Sequence, residues 1–325
     1  MISSLRVHAG RLALLLSVVA FAYAHAAGSC EGLQVSGGSG TPGDPYILPD
    51  RTDLLAFHDH AYALVNAGST TDACWSASFE IPVGTPEIDL AGIGWIPIGL
   101  PDITAHPERD DHASFSGTFD ANGVTLRNLT IDLGVDALFV GMFRETRGAT
   151  VQNLALRNVD IHVAADLEDF LLPFVRVGSL MGAAYDSQVS NVVVSGSIQG
   201  PDNVGGIAGR TEATELRNVH VENIELRGTS KIGGLVAYAD ESRIIDVTAS
   251  GSIEATGSYA GGIVADLTYA SIIAIAESTV TVSGVDNVGG IVGDTDSGSL
   301  LRNVRAIGFF VRGSQYVGGV VGLLH

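Results

Sequence analysis

The sequence predicts an all-β fold, a right-handed parallel β-helix. A glycine-centred signature returns about every 28 residues, strand-type alternation runs inside each period, and the composition favours strands and turns. The signature is Val204-Gly205-Gly206-Ile207-Ala208-Gly209. It returns as Ile232-Gly233-Gly234-Leu235-Val236-Ala237, Ala260-Gly261-Gly262-Ile263-Val264-Ala265, Val288-Gly289-Gly290-Ile291-Val292-Gly293 and Val317-Gly318-Gly319-Val320-Val321-Gly322, at intervals of 28, 28, 28 and 29. A weaker copy, Val177-Gly178-Ser179-Leu180-Met181-Gly182, lies 27 residues earlier, and an eroded one begins at Val140-Gly141.

Within a period, Leu216-Arg217-Asn218-Val219-His220-Val221 alternates apolar and polar residues, as a half-buried strand does. Ile224-Glu225-Leu226 resumes the pattern after a break at Glu222-Asn223, and no part of the repeat has helical spacing. One such coil cannot close a core, but stacked coils bury a continuous one, with strands about 4.8 Å apart. The glycine pairs lie beside apolar residues that would face inward. They do not lie between a strand and a helix N-terminus, and no G-x-G-x-x-G with a following acid, nor a P-loop, is present.

A second mark keeps the same beat: Asn128, Asn153, Asn191, Asn218 and Asn303, with Asp246 and Ala274 at the equivalent places in two coils. Stacked amides at such a position would satisfy buried donors and acceptors in a ladder.

Glycine makes up 41 of the 325 residues and aromatics 6%, with Val, Ile, Ser and Thr abundant. β-Branched side chains fit a pleated sheet, and glycine supplies turn conformations. The net charge of −19, with Lys231 the one lysine, would repel a phosphate backbone, which argues against nucleic acid as a partner.

Arg6 and Arg11, the apolar run Leu12 to Phe21 and Ala24-His25-Ala26 have the layout of an export signal cleaved after Ala26. Cleavage would leave a mature charge of −21. Ala27-Gly28-Ser29-Cys30 lacks the aliphatic residue of a lipobox. The expected location is the periplasm, the cell surface or the medium. Cys30 and Cys74, an even pair in an exported chain, favour a disulfide over two free thiols or a metal pair. No later stretch is long and apolar enough for a transmembrane anchor. The expected divisions are a signal peptide at 1–26, a tail at 27–50, a cap helix with the first irregular coils at 51–135, and the regular repeats at 136–325.

The repeats resemble the GLUG motif, a glycine-rich module of bacterial exported and surface proteins. Gly38-Ser39-Gly40-Thr41-Pro42-Gly43-Asp44-Pro45-Tyr46-Ile47-Leu48 is similar to the lead-in segment of such proteins, followed by a helix at Asp53 to Asn66. Ile88-Asp89-Leu90 and Trp95-Ile96-Pro97-Ile98-Gly99 resemble their first strands. Phe115-Ser116-Gly117-Thr118-Phe119-Asp120-Ala121-Asn122-Gly123 resembles their most recognisable string, with Ala121 where the pattern usually has glycine. The resemblance spans roughly Ser39 to Gly322 and implies the fold. It leaves the role open between adhesin-like proteins, multidomain enzymes and proteins without known function.

Three groups of residues are candidate sites. After each glycine signature comes an acidic position: Asp186, Glu212, Asp240 with Glu241, Asp266, then Asp294 and Asp296. Stacking would line these carboxylates along one edge, where Ca²⁺ could bind through hard oxygen ligands. The favoured reading is a solvated acidic turn row, because the offsets differ and no D-x-D-x-D-G loop occurs. The second group is an insertion at Pro101 to Ala113, with His106, Glu108, Arg109, Asp110, Asp111 and His112. The third is an insertion at Ala164 to Phe174, with Asp166, Glu168 and Asp169 beside Phe170, Leu171, Leu172 and Phe174. Such insertions project from solenoids and can hold a sugar or a metal, although ordinary loop chemistry explains them as well. His58-Asp59-His60 on the expected helix has poor metal-binding geometry, since i and i+2 point to different faces. Neither H-E-x-x-H nor G-x-S-x-G is present.

The leading expectation is a non-catalytic exported β-helix for adhesion or interaction with glycans or surface proteins. An alternative is a polysaccharide-active enzyme, a lyase, hydrolase or epimerase, drawing on Arg109, Asp110, His112 and Arg243. A third is a structural spacer or a piece of a larger surface protein. His325 follows the last signature so closely that the final coil would need a partner, a second copy or further chain to cover it.

Overall fold

The computed structural model describes residues 30–69, 72–99, 113–134, 138–164, 175–296, 298–307 and 310–325. The export signal and its cleavage site lie outside the described residues.

The chain winds into a parallel β-solenoid of about nine coils of roughly 29 residues, with, among the described residues, one short α-helix near its N-terminus. Each regular coil contributes one long strand and two short ones, for example Glu215–Gly228, Ser230–Gly233 and Val236–Asp240. Stacked in parallel, these make one long sheet and two seven-stranded short sheets, here the second and third sheets, each in chain order.

Register follows the signature. Val177 pairs with Val204, Val204 with Ile232, Ile232 with Ala260, Ala260 with Val288 and Val288 with Val317. Apart from the exposed Val317 of the last coil, these side chains and the next apolar residue of each signature (Ile207, Leu235, Ile263 and Ile291) fill the interior, as do alternate residues of the long strands such as Leu216, Val219 and Val221. Toward the N-terminus the filling turns aromatic, with Phe57 stacked on Phe79 at 3.9 Å and Phe115 on Phe143 at 4.9 Å.

The signature glycines are required by close approach. A Cβ on Gly205 would lie 2.1 Å from the Ala208 carbonyl oxygen, and one on Gly206 would lie 2.2 Å from that of Gly234 in the next coil. The sixth residue of the signature is also constrained. A Cβ on Gly209 would sit 2.6 Å from the Val177 nitrogen and 2.7 Å from the Arg176 Cβ, so the second and third sheets close on each other there. In the six later signatures only glycine or alanine stands at this place, Gly182, Gly209, Ala237, Ala265, Gly293 and Gly322, whereas Arg144 takes it in the eroded first copy.

The helix spans Arg51–Asn66, two residues longer at its start than expected. Asp50 caps it by accepting from the Thr52 and Asp53 backbone N–H groups at 2.7 and 3.1 Å. Leu54, Phe57, Ala61 and Val65 form its buried face and cover the first coils. His58 of the His58-Asp59-His60 group is buried between Asp59 Oδ1, at 2.8 Å, and the Ile96 carbonyl, at 3.0 Å. Cys30 and Cys74 form a disulfide that ties the N-terminal tail to this cap. Of the expected first strands, Ile88–Asp89 forms, whereas the Trp95 to Gly99 stretch makes only an isolated bridge between Ile98 and Phe143. Among the described residues no helix is long and apolar enough to cross a membrane.

The asparagine mark is real but differs from expectation in three ways. Asn191 donates to Asn153 Oδ1 and Asn218 to Asn191 Oδ1, both at 2.8 Å, while Asn153 donates to Asp120 Oδ1 at 2.9 Å. Asn128 belongs to a separate ladder, accepting from Asn158 and donating to Asp89, each at 2.7 Å. The residue equivalent to Asp246 is Ile275 rather than Ala274, which pairs with Ile245. The ladder also faces solvent at a bend of the long sheet, so it does not satisfy buried groups. Asn153, Asn191, Asn218, Asp246 and Asn303 all have φ between 52° and 58°, a left-handed conformation that Asn and Asp tolerate best among residues with side chains. The position is selected for backbone shape first and amide bonding second.

Candidate functional site

Among the described residues, chemically active side chains converge where the outer surfaces of the second and third sheets meet. The small sixth signature residue lets these sheets approach, and cations and rings from successive coils interleave there. Phe139 carries the Arg144 and Arg176 guanidinium groups at 4.6 and 4.8 Å from its centroid. Tyr185 carries Arg147 at 4.4 Å and Arg210 at 5.9 Å. Tyr238 follows with Arg210 at 5.2 Å and Lys231 at 4.8 Å, and Tyr259 lies 5.3 Å from the same lysine. Each contact is a cation over a ring face, favoured by the ring quadrupole and strengthened by partial desolvation.

Carboxylates complete this stripe. Arg147 meets Glu145 at 3.2 Å, Arg210 meets Glu212 at 2.6 Å and Asp240 at 3.7 Å, and Lys231 meets Asp266 at 2.6 Å. Burial holds the Arg176 guanidinium below its ordinary pKa against the opposing effect of Tyr185. Burial pushes Asp202 up to about 6, opposed by Lys231. Asp266 is raised by burial, with Lys231 opposing and Asp294 and Asp296 adding. Burial also raises Asp240, with Arg210 opposing and Glu212, Glu241 and Asp296 adding.

The seven acids do not share one row. Glu212 and Asp240 are register partners in one row of the third sheet. Asp266 and Asp294 are partners in a different row, which continues toward the N-terminus as Tyr238, Arg210 and Ala183. Asp186 and Glu241 sit at left-handed turn positions, and Asp296 accepts from the Tyr269 backbone N–H at 2.9 Å. Among the described residues no three of His, Cys, Asp and Glu are grouped as a metal site. The insertion residues His106, Glu108, Arg109, Asp110, Asp111 and His112 lie outside the described residues, as do Asp166, Glu168, Asp169, Phe170, Leu171, Leu172 and Phe174. Arg243 is exposed on the long sheet, with its Nε 3.2 Å from Glu215.

The outward face of the long sheet is the second surface of interest. Beside the asparagine ladder, Asn122, Gly123, Asn153, Leu154, Ala155, Asn191 and Val193 line a shallow hollow. Farther along, Gln199, Arg227, Gly228, Thr229, Glu254 and Thr256 line another.

Sequence reasoning missed the cation–aromatic stripe. Its residues are scattered through the sequence at Phe139, Arg176, Tyr185, Arg210, Lys231, Tyr238 and Tyr259, and they meet only after stacking and sheet closure. The recurring glycine or alanine at the sixth signature place was the available signal.

Fold and surface together define a parallel β-solenoid whose outward side chains stand in register from coil to coil. The sequence profile of the GLUG motif matches residues 228–254, one coil carrying Ile232-Gly233-Gly234-Leu235. That coil is thus a GLUG motif within a parallel β-helix, and the Val-Gly-Gly signatures of its neighbours are similar to it. Halomucin of Haloquadratum walsbyi is 30% identical to it over 182 residues, covering 55% of this chain and 2% of Halomucin. The matched part is thus a small fraction of that relative's length. A solved structure from Bacteroides ovatus, described as a candidate immunoglobulin A1 protease, superposes with a TM-score of 0.57 at 18% identity. It covers 90% of this chain and 86% of that one, and the likeness is one of fold.

Proposed function

We propose that this protein is an exported, non-catalytic β-helix that makes surface interactions, with glycans or surface proteins as partners, through the outward face of its long sheet. The carrying observation is the repetition of that face. Rows of outward side chains such as Ser190, Arg217 and Ile245, or Val193, His220 and Thr248, stand in register over successive coils beside an ordered amide ladder. Equal spacing suits weak contacts summed over several coils.

Two further observations support the reading. The Cys30–Cys74 disulfide fits an oxidising compartment and hence export. The similarity to Halomucin supports a surface role.

The test is a glycan array, together with a panel of immobilised surface proteins, probed with residues 27–325 as single molecules and as a multivalent display. The reading expects binding that strengthens sharply on multivalent display and weakens when Arg227 and Glu254, which line one hollow, are both replaced by alanine. Release of shortened glycan products from a bound ligand would overturn it in favour of an enzyme. So would no binding to any member of either set.

A further inference from the structure

Lys231 is the chain's one lysine, and it stands in the stripe between the two short sheets. It belongs to the second-sheet strand Ser230–Gly233, while its partner Asp266 belongs to the third-sheet strand Val264–Thr268 of the following coil. Their contact, Nζ to Oδ2 at 2.6 Å, therefore bridges both two sheets and two coils. The Tyr238 and Tyr259 rings flank the amine at 4.8 and 5.3 Å. The Asp266 side chain is only 13% exposed. We propose that Lys231 and Asp266 condense into an intramolecular amide that covalently staples adjacent coils.

The step balances without any further reactant. The lysine amine, having given up its proton, forms a bond from Nζ to the Asp266 carboxyl carbon. One carbon–oxygen bond of that carboxyl breaks, and its oxygen leaves as water with two protons. An ammonium and a carboxylate thus become one neutral amide and one water, with no oxidation or reduction. Holding the two groups in contact makes the condensation unimolecular. Removing a buried ion pair in favour of a neutral amide also relieves the desolvation cost of both charges.

A proton relay is at hand. Asp202 lies on the coil before Lys231, where its residue pairs with Ser230 in the second sheet. One of its carboxylate oxygens is buried without a hydrogen-bond partner. Burial keeps its proton on up to about pH 6, and it is near enough for the lysine charge to act on it. Above that pH its carboxylate can take the proton from the lysine ammonium and then, as the acid, return it to the departing oxygen.

The test is peptide mass analysis of the denatured, trypsin-digested protein. The amide predicts that cleavage after Lys231 is lost, and that Gly228–Arg243 appears joined to Ile244–Arg302 at their combined mass less one water. K231R keeps a cation for Asp266 and must give separate peptides of full mass. D202N must slow appearance of the joined peptide in a time course, and an unchanged rate would remove Asp202 from the step. A free Lys231 in fully folded protein overturns the proposal. So does a loss of water that persists in K231R, which would be cyclisation at an aspartate.

Discussion

The signature glycines invite a comparison between two residues of identical sequence role. Gly234 and Gly319 are each the second glycine of a Val-Gly-Gly-type signature, and neither has a positive φ. At Gly234 a Cβ would lie 2.0 Å from the Gly262 carbonyl oxygen, 2.9 Å from its carbon and 3.1 Å from the Ala249 Cβ. That oxygen is backbone in the next coil and cannot rotate aside. Gly234→Ala must therefore push two coils apart, at or above the top of the roughly 1–3 kcal/mol usual for overpacking. At Gly319 a Cβ would meet nothing within 4 Å in the 325-residue chain. Gly319→Ala is expected to be neutral or to stabilise by about 0.4–1 kcal/mol, by narrowing the unfolded ensemble. Urea unfolding followed by far-ultraviolet circular dichroism reads both. Native-state hydrogen exchange should show the Gly234 damage concentrated in the coils on either side, since solenoid coils contact only their neighbours. If both substitutions cost the same, the glycines serve local backbone freedom and the close-approach argument fails.

Three further outcomes follow from the same structure. Replacing both Cys30 and Cys74 by alanine opens a link with sequence separation 44, which the chain-entropy relation values at about 4 kcal/mol. Trp75 and Trp95 both lie near this cap, so denaturation followed by tryptophan fluorescence, with and without reductant, measures the loss. Asp246→Asn should stabilise by about 1 kcal/mol, because an amide there can donate to Asn218 Oδ1 and extend the ladder. At present His220 Nε2 makes that contact at 2.8 Å, and no gain in thermal stability would show that the histidine already suffices. Asp202, raised by burial to about 6, holds its proton more tightly in the folded than in the unfolded state. Stability should thus fall as pH rises from about 4 through about 6 and stay lowered above that, by on the order of 1–2 kcal/mol after solvent screening. D202N should flatten this slope in urea titrations at each pH, and an unchanged slope would assign it to other groups.

The coil was legible because its determinants are local and repeated. Inward residues alternate with outward ones along Leu216 to Val221, and the signature marks each arch, so period and register follow from a single pattern seen several times. The Asn mark was legible in position but not in meaning. Its periodicity suggested burial, whereas the left-handed φ at Asn153, Asn191 and Asn218 shows that the bend itself selects the residue. A one-residue slip then hid Ile275, which takes the same strained backbone without an amide to offer. Ile275 is an exposed β-branched residue at φ 56°, and no feature of its own sequence neighbourhood announces that cost.

The acidic residues show why a surface row is harder to read than a core. Inside the solenoid, one face must be filled in every coil, so a shift of a single residue is penalised and the pattern stays in phase. Outside, nothing enforces phase, and the acids drift between two strand rows and a turn. What fixes them is the nearest cation. Within the third sheet Arg210 draws Glu212 and Asp240 together, and Lys231 reaches from the second sheet across to Asp266. The pairing of Lys231 with Asp266 crosses between sheets because Gly209, Ala237 and Ala265 leave no side chain thick enough to hold the sheets apart. The smallest residues of the repeat, which carry no chemistry, therefore decide whether charged groups of the two sheets meet.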